Sequence, residues 1–180
     1  MSIPTLRTKR LLLRPFALAD APSVQRLAGD RDVASTTLTI PHPYEDGMAE
    51  AWIETHAENW EEKKVLTLAV TTDEEGLVGA MGLHLKMEHR RAELGYWIGV
   101  PFWNRGYATE AASAVTKFGF DELDLNRIEA HHFTHNPASG RVMEKLGMKL
   151  EGVRRQHVVK GNQLEDLALY AVLRSDRRQG

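Results

Sequence analysis

Over residues 91–112 the chain passes from an apolar run through a proline into a glycine turn and then an alanine-rich segment, and that order leaves few folds open. Leu94-Gly95-Tyr96-Trp97-Ile98-Gly99-Val100 is dominated by bulky β-formers and breaks at Pro101. Asn104-Arg105-Gly106-Tyr107-Ala108-Thr109-Glu110-Ala111-Ala112 follows, so the pattern predicts strand, loop and helix. The first turn of a helix carries backbone N–H groups with no helical partner and the positive end of the helix dipole. The junction at residues 104–109 is therefore an anion cradle in outline.

Size and charge limit what such a cradle can serve. With 180 residues, 42% of them hydrophobic, the chain can bury a sizeable core, and no linker or charge block divides it, so one domain over 1–180 is expected. Lys and Arg number 23 against 25 Asp and Glu, a net charge of -2, which gives no global basic field for nucleic acid or anionic lipid. The absence of cysteine excludes disulfides, thiolate metal ligands and a cysteine nucleophile. Met1-Ser2-Ile3-Pro4-Thr5 does not read as a secretory leader, and no run approaches the ~18 apolar residues of a membrane span. The expectation is a cytoplasmic protein with neither membrane nor nucleic-acid partner, and nothing in the sequence specifies an oligomeric state.

Along the chain, residues 6–14 read as a first strand ending at Pro15. Asp20 and Pro22 open a helix over 21–28 that stops at Gly29. Residues 35–44, rich in threonine and broken by Pro41 and Pro43, form a shaped loop where substrate contacts are expected. Met48, Trp52, Ile53, His56 and Trp60 make an apolar helical stripe within 45–62, read as core packing without chemistry. Residues 65–72 and 77–86 flank Asp73-Glu74-Glu75-Gly76 as a hairpin. Strand 91–100, helix 109–122, strand 127–133 and helix 138–146 come next, Gly147 being the last helix's stop. A final hairpin, 148–159 and 163–173, turns at Lys160-Gly161-Asn162. Antiparallel strands, then strands linked through helices, then a hairpin indicate an α+β mixed sheet.

Other chemistries lack their motifs. Gly76, Gly79 and Gly82 recur every third residue but punctuate a hairpin rather than open a helix, so they are not a dinucleotide fingerprint. His131, His132 and His135 alternate sides of a strand and its end, with no cysteine or HExxH pattern, and no metal is expected. Neither a GxSxG elbow nor a P-loop is present.

Three ordered motifs carry a resemblance. Glu93-Leu94-Gly95-Tyr96-Trp97-Ile98, Gly106-Tyr107-Ala108-Thr109-Glu110-Ala111 and the run from Asn136-Pro137-Ala138-Ser139-Gly140-Arg141 through Leu146-Gly147-Met148 resemble the GNAT N-acetyltransferase superfamily, in its RimJ/RimL-like branch. Thr8-Lys9-Arg10-Leu11-Leu12-Leu13-Arg14 and Ile40-Pro41-His42-Pro43-Tyr44 extend the likeness over nearly the whole chain. It implies a mostly antiparallel mixed sheet of about seven strands, with helices on both faces and a splayed central strand pair. It also implies a single acetyltransferase domain that transfers acetyl from acetyl-CoA to an amine.

By that resemblance the pyrophosphate of acetyl-CoA sits on the amides of Asn104, Arg105, Gly106, Tyr107, Ala108 and Thr109, with Arg105 adding charge. The family's loop usually has Gln or Arg where this chain has Trp103, and Gly where it has Asn104. Backbone groups of Ile98, Gly99 and Val100, at the splay, meet pantetheine and the thioester oxygen. Glu93 is the first candidate base and Glu129, on the neighbouring strand, the second. Asn136 hydrogen-bonds pantetheine and Ser139 protonates the departing thiolate, although both residues also suit helix capping. The tyrosine acid that many relatives place beyond this helix is missing at Leu146-Gly147-Met148. An α-amine, with a pKa of ~7.7–8.0, needs only a modest base, whereas a lysine at ~10.4 needs a strong one. The acceptor is expected to be a protein or peptide N-terminus. A small amine such as a polyamine, antibiotic or amino acid, and a non-catalytic CoA-binding module, are the alternatives.

Overall fold

The computed structural model describes residues 2–179. Its elements in chain order are β1 (Leu6–Arg7), β2 (Leu12–Arg14), α1 (Ala21–Ala28), α2 (Arg31–Ser35), α3 (Met48–Glu61), β3 (Val65–Thr72), β4 (Gly76–Lys86), β5 (Arg91–Ile98), α4 (Tyr107–Asp121), β6 (Arg127–Phe133), α5 (Pro137–Lys145), β7 (Lys149–Lys160) and β8 (Gln163–Leu173). The eight strands form one sheet in the order β1-β2-β3-β4-β5-β6-β8-β7. Every neighbouring pair is antiparallel except β5 and β6, which are parallel.

Strand alternation distributes the helices. Leu83 pairs with Leu94 across β4 and β5, and Leu83 abuts Gly119 of α4, so α4 covers that face. Gly99 lies one residue out of phase with Leu94 and meets Leu27 of α1, which places α1 and its neighbour α3 on the opposite face. Leu13, Leu66, Leu68, Val70, Leu83, Phe120 and Ile128 are fully buried between these layers. Truncating Phe120 to alanine would cost about 3–5 kcal/mol.

Most element boundaries agree with the pattern to within two or three residues, and the differences have local causes. The single first strand is two short ones, because Thr8 Oγ1 accepts from the Leu11 amide at 2.9 Å and Thr8 N donates to Leu11 O at 2.9 Å, closing a turn. This turn gives the sheet its eighth strand. The polar run after Gly29 contains the short helix α2, whose N-terminus Asp30 caps by accepting from Asp32 N at 2.8 Å. Helix α4 begins at Tyr107 rather than Thr109, since Gly106 at φ +78° already turns the chain into it. Strand β5 ends at Ile98, and Val100–Phe102 is a 3-10 turn with Pro101 inside it. No helix among the described residues is long and apolar enough to cross a membrane.

Candidate active site

The site begins at the turn into α4. Asn104 and Gly106 both adopt left-handed backbone, at φ +62° and +78°. The first helical bond runs from Glu110 N to Gly106 O at 3.1 Å, leaving the amides of Tyr107, Ala108 and Thr109 without helical partners. Arg10 fastens this turn from behind. Its Nη1 donates to Arg105 O at 2.9 Å, its Nε donates to Glu110 Oε2 at 2.7 Å, and its guanidinium lies 4.9 Å from the centre of the Tyr107 ring. Thr8 Oγ1 and the Arg10 amide donate to the other Glu110 oxygen at 2.6 and 2.9 Å. Burial pushes the Glu110 carboxyl up, but these donors outweigh it and hold the group below its ordinary value.

The second feature is a gap in the sheet. Strands β5 and β6 pair only at Arg91–Arg127, Ala92–Ile128 and Glu93–Glu129, then diverge. Beyond that point β6 keeps only its β8 neighbour, with which it pairs from Arg127–Leu173 to Phe133–Leu167. Gly99 N donates to Val78 O at 2.9 Å, on the β4 side. Alternation therefore turns the N–H and C=O groups of Leu94, Tyr96 and Ile98 toward the gap. The indole Nε1 of Trp103 donates to Ile98 O at 2.6 Å, consistent with that direction.

A cavity of about 1350 Å³ runs through the gap, between the α4 turn and the loop at 36–41. Lys160, on the final hairpin, ties that loop down by donating to Leu38 O at 3.3 Å and Ile40 O at 2.7 Å. Two polar pairs line the cavity from opposite faces of the sheet. On one face Glu93 Oε1 lies 3.2 Å from His131 Nδ1, with His84 directly across from Glu93 on β4. On the other, the Tyr96 hydroxyl is 2.6 Å from Ser139 Oγ. Burial pushes the Tyr96 phenol above its ordinary value, and the hydrogen bond with Ser139 offsets part of that rise, so the phenol stays a proton donor at neutral pH. Glu93 stands beside Nδ1 of His131, which leaves Nε2 as the ring nitrogen away from that carboxylate.

The candidates read from sequence divide between the cavity and its surroundings. Glu93, Ile98, Asn104, Gly106, Tyr107, Ala108, Thr109, Asn136 and Ser139 line it. Asn136 makes no side-chain capping bond to α5, and Ser139 directs its hydroxyl to Tyr96. Gly99 and Val100 are not in the lining, and the Gly99 amide is engaged by β4. Arg105 turns its guanidinium away, 3.3 Å from Glu75 and over the Phe102 ring. Glu129 also stands outside the lining, held by Arg91 at 2.6 Å and Arg127 at 2.9 Å in a ladder that continues to Glu151. Residues the sequence did not single out are Tyr96, His131 as a partner of Glu93, and the helix α5 cations Arg141 and Lys145. Tyr96 was legible only as a strand residue facing away from Glu93.

Comparison with known proteins agrees with this geometry. Residues 10–149 match the acetyltransferase (GNAT) domain family model. YoaA of Bacillus subtilis (strain 168), an uncharacterized N-acetyltransferase, is 34% identical over 173 residues, covering 95% of this chain and 97% of that protein. The [ribosomal protein uS5]-alanine N-acetyltransferase of Escherichia coli (strain K12) is 30% identical over 87 residues, 48% of this chain and 45% of that protein. The crystal structure of a GNAT-family acetyltransferase from Bacillus anthracis superposes with a TM-score of 0.84 at 30% identity, covering 94% of this chain and 98% of that one. With an amide-lined turn at the head of α4, a gap between the two parallel strands and this likeness across its length, the chain belongs to the GNAT acetyltransferase family, as an acetyl-CoA-dependent N-acetyltransferase.

Proposed function

We propose that this enzyme acetylates the α-amine of a protein or peptide N-terminus, with the Glu93–His131 pair as base and the Tyr96–Ser139 pair as acid. The observation that carries the mechanism is that these pairs meet at one gap from opposite faces of the sheet. The amides of Tyr107, Ala108 and Thr109 hold the pyrophosphate, and Arg141 and Lys145, on the cavity side of α5, hold the remaining anionic part of the coenzyme. Asn136 and the gap-facing backbone groups of Tyr96 and Ile98 hold pantetheine. One of those two amides polarises the thioester oxygen.

A neutral amine attacks the carbonyl carbon, forming the C–N bond. His131, oriented by Glu93, takes the proton that the nitrogen sheds. As the C–S bond breaks, the sulfur takes a proton from the Ser139 hydroxyl, hydrogen-bonded to Tyr96, and solvent in the cavity restores it. A modest base suits an α-amine, a tenth or so of which is already neutral near pH 7, better than a lysine. A relative that matches about half of this chain is named an N-acetyltransferase of an alanine of ribosomal protein uS5, which supports a protein acceptor. The test is release of free thiol from acetyl-CoA with a panel of N-terminal peptides beside a panel of polyamines, aminoglycosides and amino acids. Peptides are expected to accelerate release and to gain acetyl at the N-terminal nitrogen by mass spectrometry. Turnover of the small amines alone would overturn the assignment.

A further inference from the structure

Charge along the cavity narrows the acceptor further. Its lining carries four cationic side chains, Lys64, Lys86, Arg141 and Lys145, against one carboxylate, Glu93. That carboxylate is already engaged with His131. Arg141 and Lys145 stand one turn apart on α5, beyond Ser139, where the coenzyme's anionic groups account for them. Lys64 and Lys86 stand at the other end. Lys86 lies two residues past His84 on β4, on the same face as the His84–Glu93 pair, and so about 6.6 Å farther along the sheet. Lys64 precedes β3 beside it, its carbonyl accepting from Leu85 N at 2.7 Å. Glu62 neutralises Lys64, but Lys86 has no ion-pair partner among the described residues.

An amine seated at Glu93 and His131 places its second peptide residue, at about 3.3–3.6 Å per residue, within reach of Lys86. A second cation there meets the lysines with no carboxylate in the lining beyond Glu93 to receive it, while a carboxylate there meets the unpaired ammonium of Lys86. We infer that the acceptor carries negative charge next to its amine, as an N-terminal peptide with an acidic second residue does, and that Lys86 selects it. This rests on the amine-transfer reading above. The same chemistry is carried by a free acidic amino acid, and it is the opposite of a polyamine's.

The test compares kcat/KM, by thiol release, for peptides identical except for Asp, Ala or Lys at the second residue, with free aspartate and spermidine beside them. The order Asp, Ala, Lys is expected, with Asp over Lys by about tenfold at low ionic strength and less as salt is added. Lys86→Glu should reverse that order while leaving the dissociation constant for CoA unchanged, which also shows that the variant is folded. A faster reaction with free aspartate than with the Asp peptide supports the charge requirement and makes the free amino acid its carrier. Equal rates for the three peptides, or a preference for the Lys peptide or spermidine, overturn the inference and leave amine transfer standing. No thiol release with any amine overturns both.

Discussion

His56 sits on α3 in an aromatic nest, its ring centre 4.4 Å from that of Trp52 and 5.3 Å from that of Phe16. Only 5% of the residue is exposed, and neither ring nitrogen has a hydrogen-bond partner. Burial among hydrocarbon penalises the imidazolium and pushes the pKa down to about 4. In the unfolded chain the same imidazole has its ordinary value of about 6.5. Between these values the unfolded state binds more protons than the folded one, so stability rises with pH. The contribution is fully present above about pH 6.5 and is lost as pH falls toward 4. Linkage makes the loss about 2 kcal/mol on going from pH 7.5 to pH 5, and about 3 kcal/mol by pH 4. Replacing His56 by leucine, of similar volume, removes both the titration and two unpaired buried nitrogens. Urea titrations of both proteins at pH 7.5 and pH 5 test this. The His56→Leu protein should be at least as stable as the parent at pH 7.5 and should lose about 2 kcal/mol less on acidification. With a denaturant slope of about 1–3 kcal/mol/M, that is a difference of about 1 M in the midpoint shift. Equal acid losses in the two proteins would refute a buried neutral imidazole and return His56 to contact with water.

At the reacting centre, Glu93→Gln or His131→Asn should lower kcat by about 10²-fold or more near pH 7, with partial recovery at higher pH as the amine loses its own proton; a pH–rate profile unchanged in shape would remove the pair from the mechanism. Ser139→Ala and Tyr96→Phe should each reduce kcat by about tenfold to a hundredfold, and the double variant by little more than either, because the two hydroxyls act as one donor; fully additive losses would mean that they act separately. Arg10→Ala should raise KM for acetyl-CoA several-fold with kcat little changed, since Arg10 holds the carbonyl of Arg105 and the Glu110 carboxylate behind the phosphate turn without lining the cavity; calorimetry showing wild-type CoA affinity would contradict that role.

How much of this was legible in the letters depended on whether the determinant was local. Helix α1 was readable from Asp20, Pro22 and Gly29, and the turn at Gly106 from a glycine before an alanine-rich helix, because caps and left-handed turns are set within a few residues. The hairpin closed by Thr8 was missed, because its stability comes from a hydroxyl and from Glu110, 102 residues away, and not from a turn dipeptide. The candidate base pair was half visible. Glu93 stood out as a carboxylate on an apolar strand, but its partner His131 depends on the parallel register of β5 and β6, which no alternation pattern encodes. Tyr96 shows the deeper limit. Period-two alternation put it on the face opposite Glu93, and that is where it is, beside Ser139 on α5. In a closed sheet two such residues could not address one ligand. They do here because β6 parts from β5 after Glu129 while it stays paired with β8, and the slot that opens joins the two faces at the level of the gap-facing backbone. The site is thus made where the β5–β6 hydrogen-bond ladder ends, while β6 stays held on its other edge by a strand some forty residues farther on, a long-range pairing invisible in the residues that flank the gap.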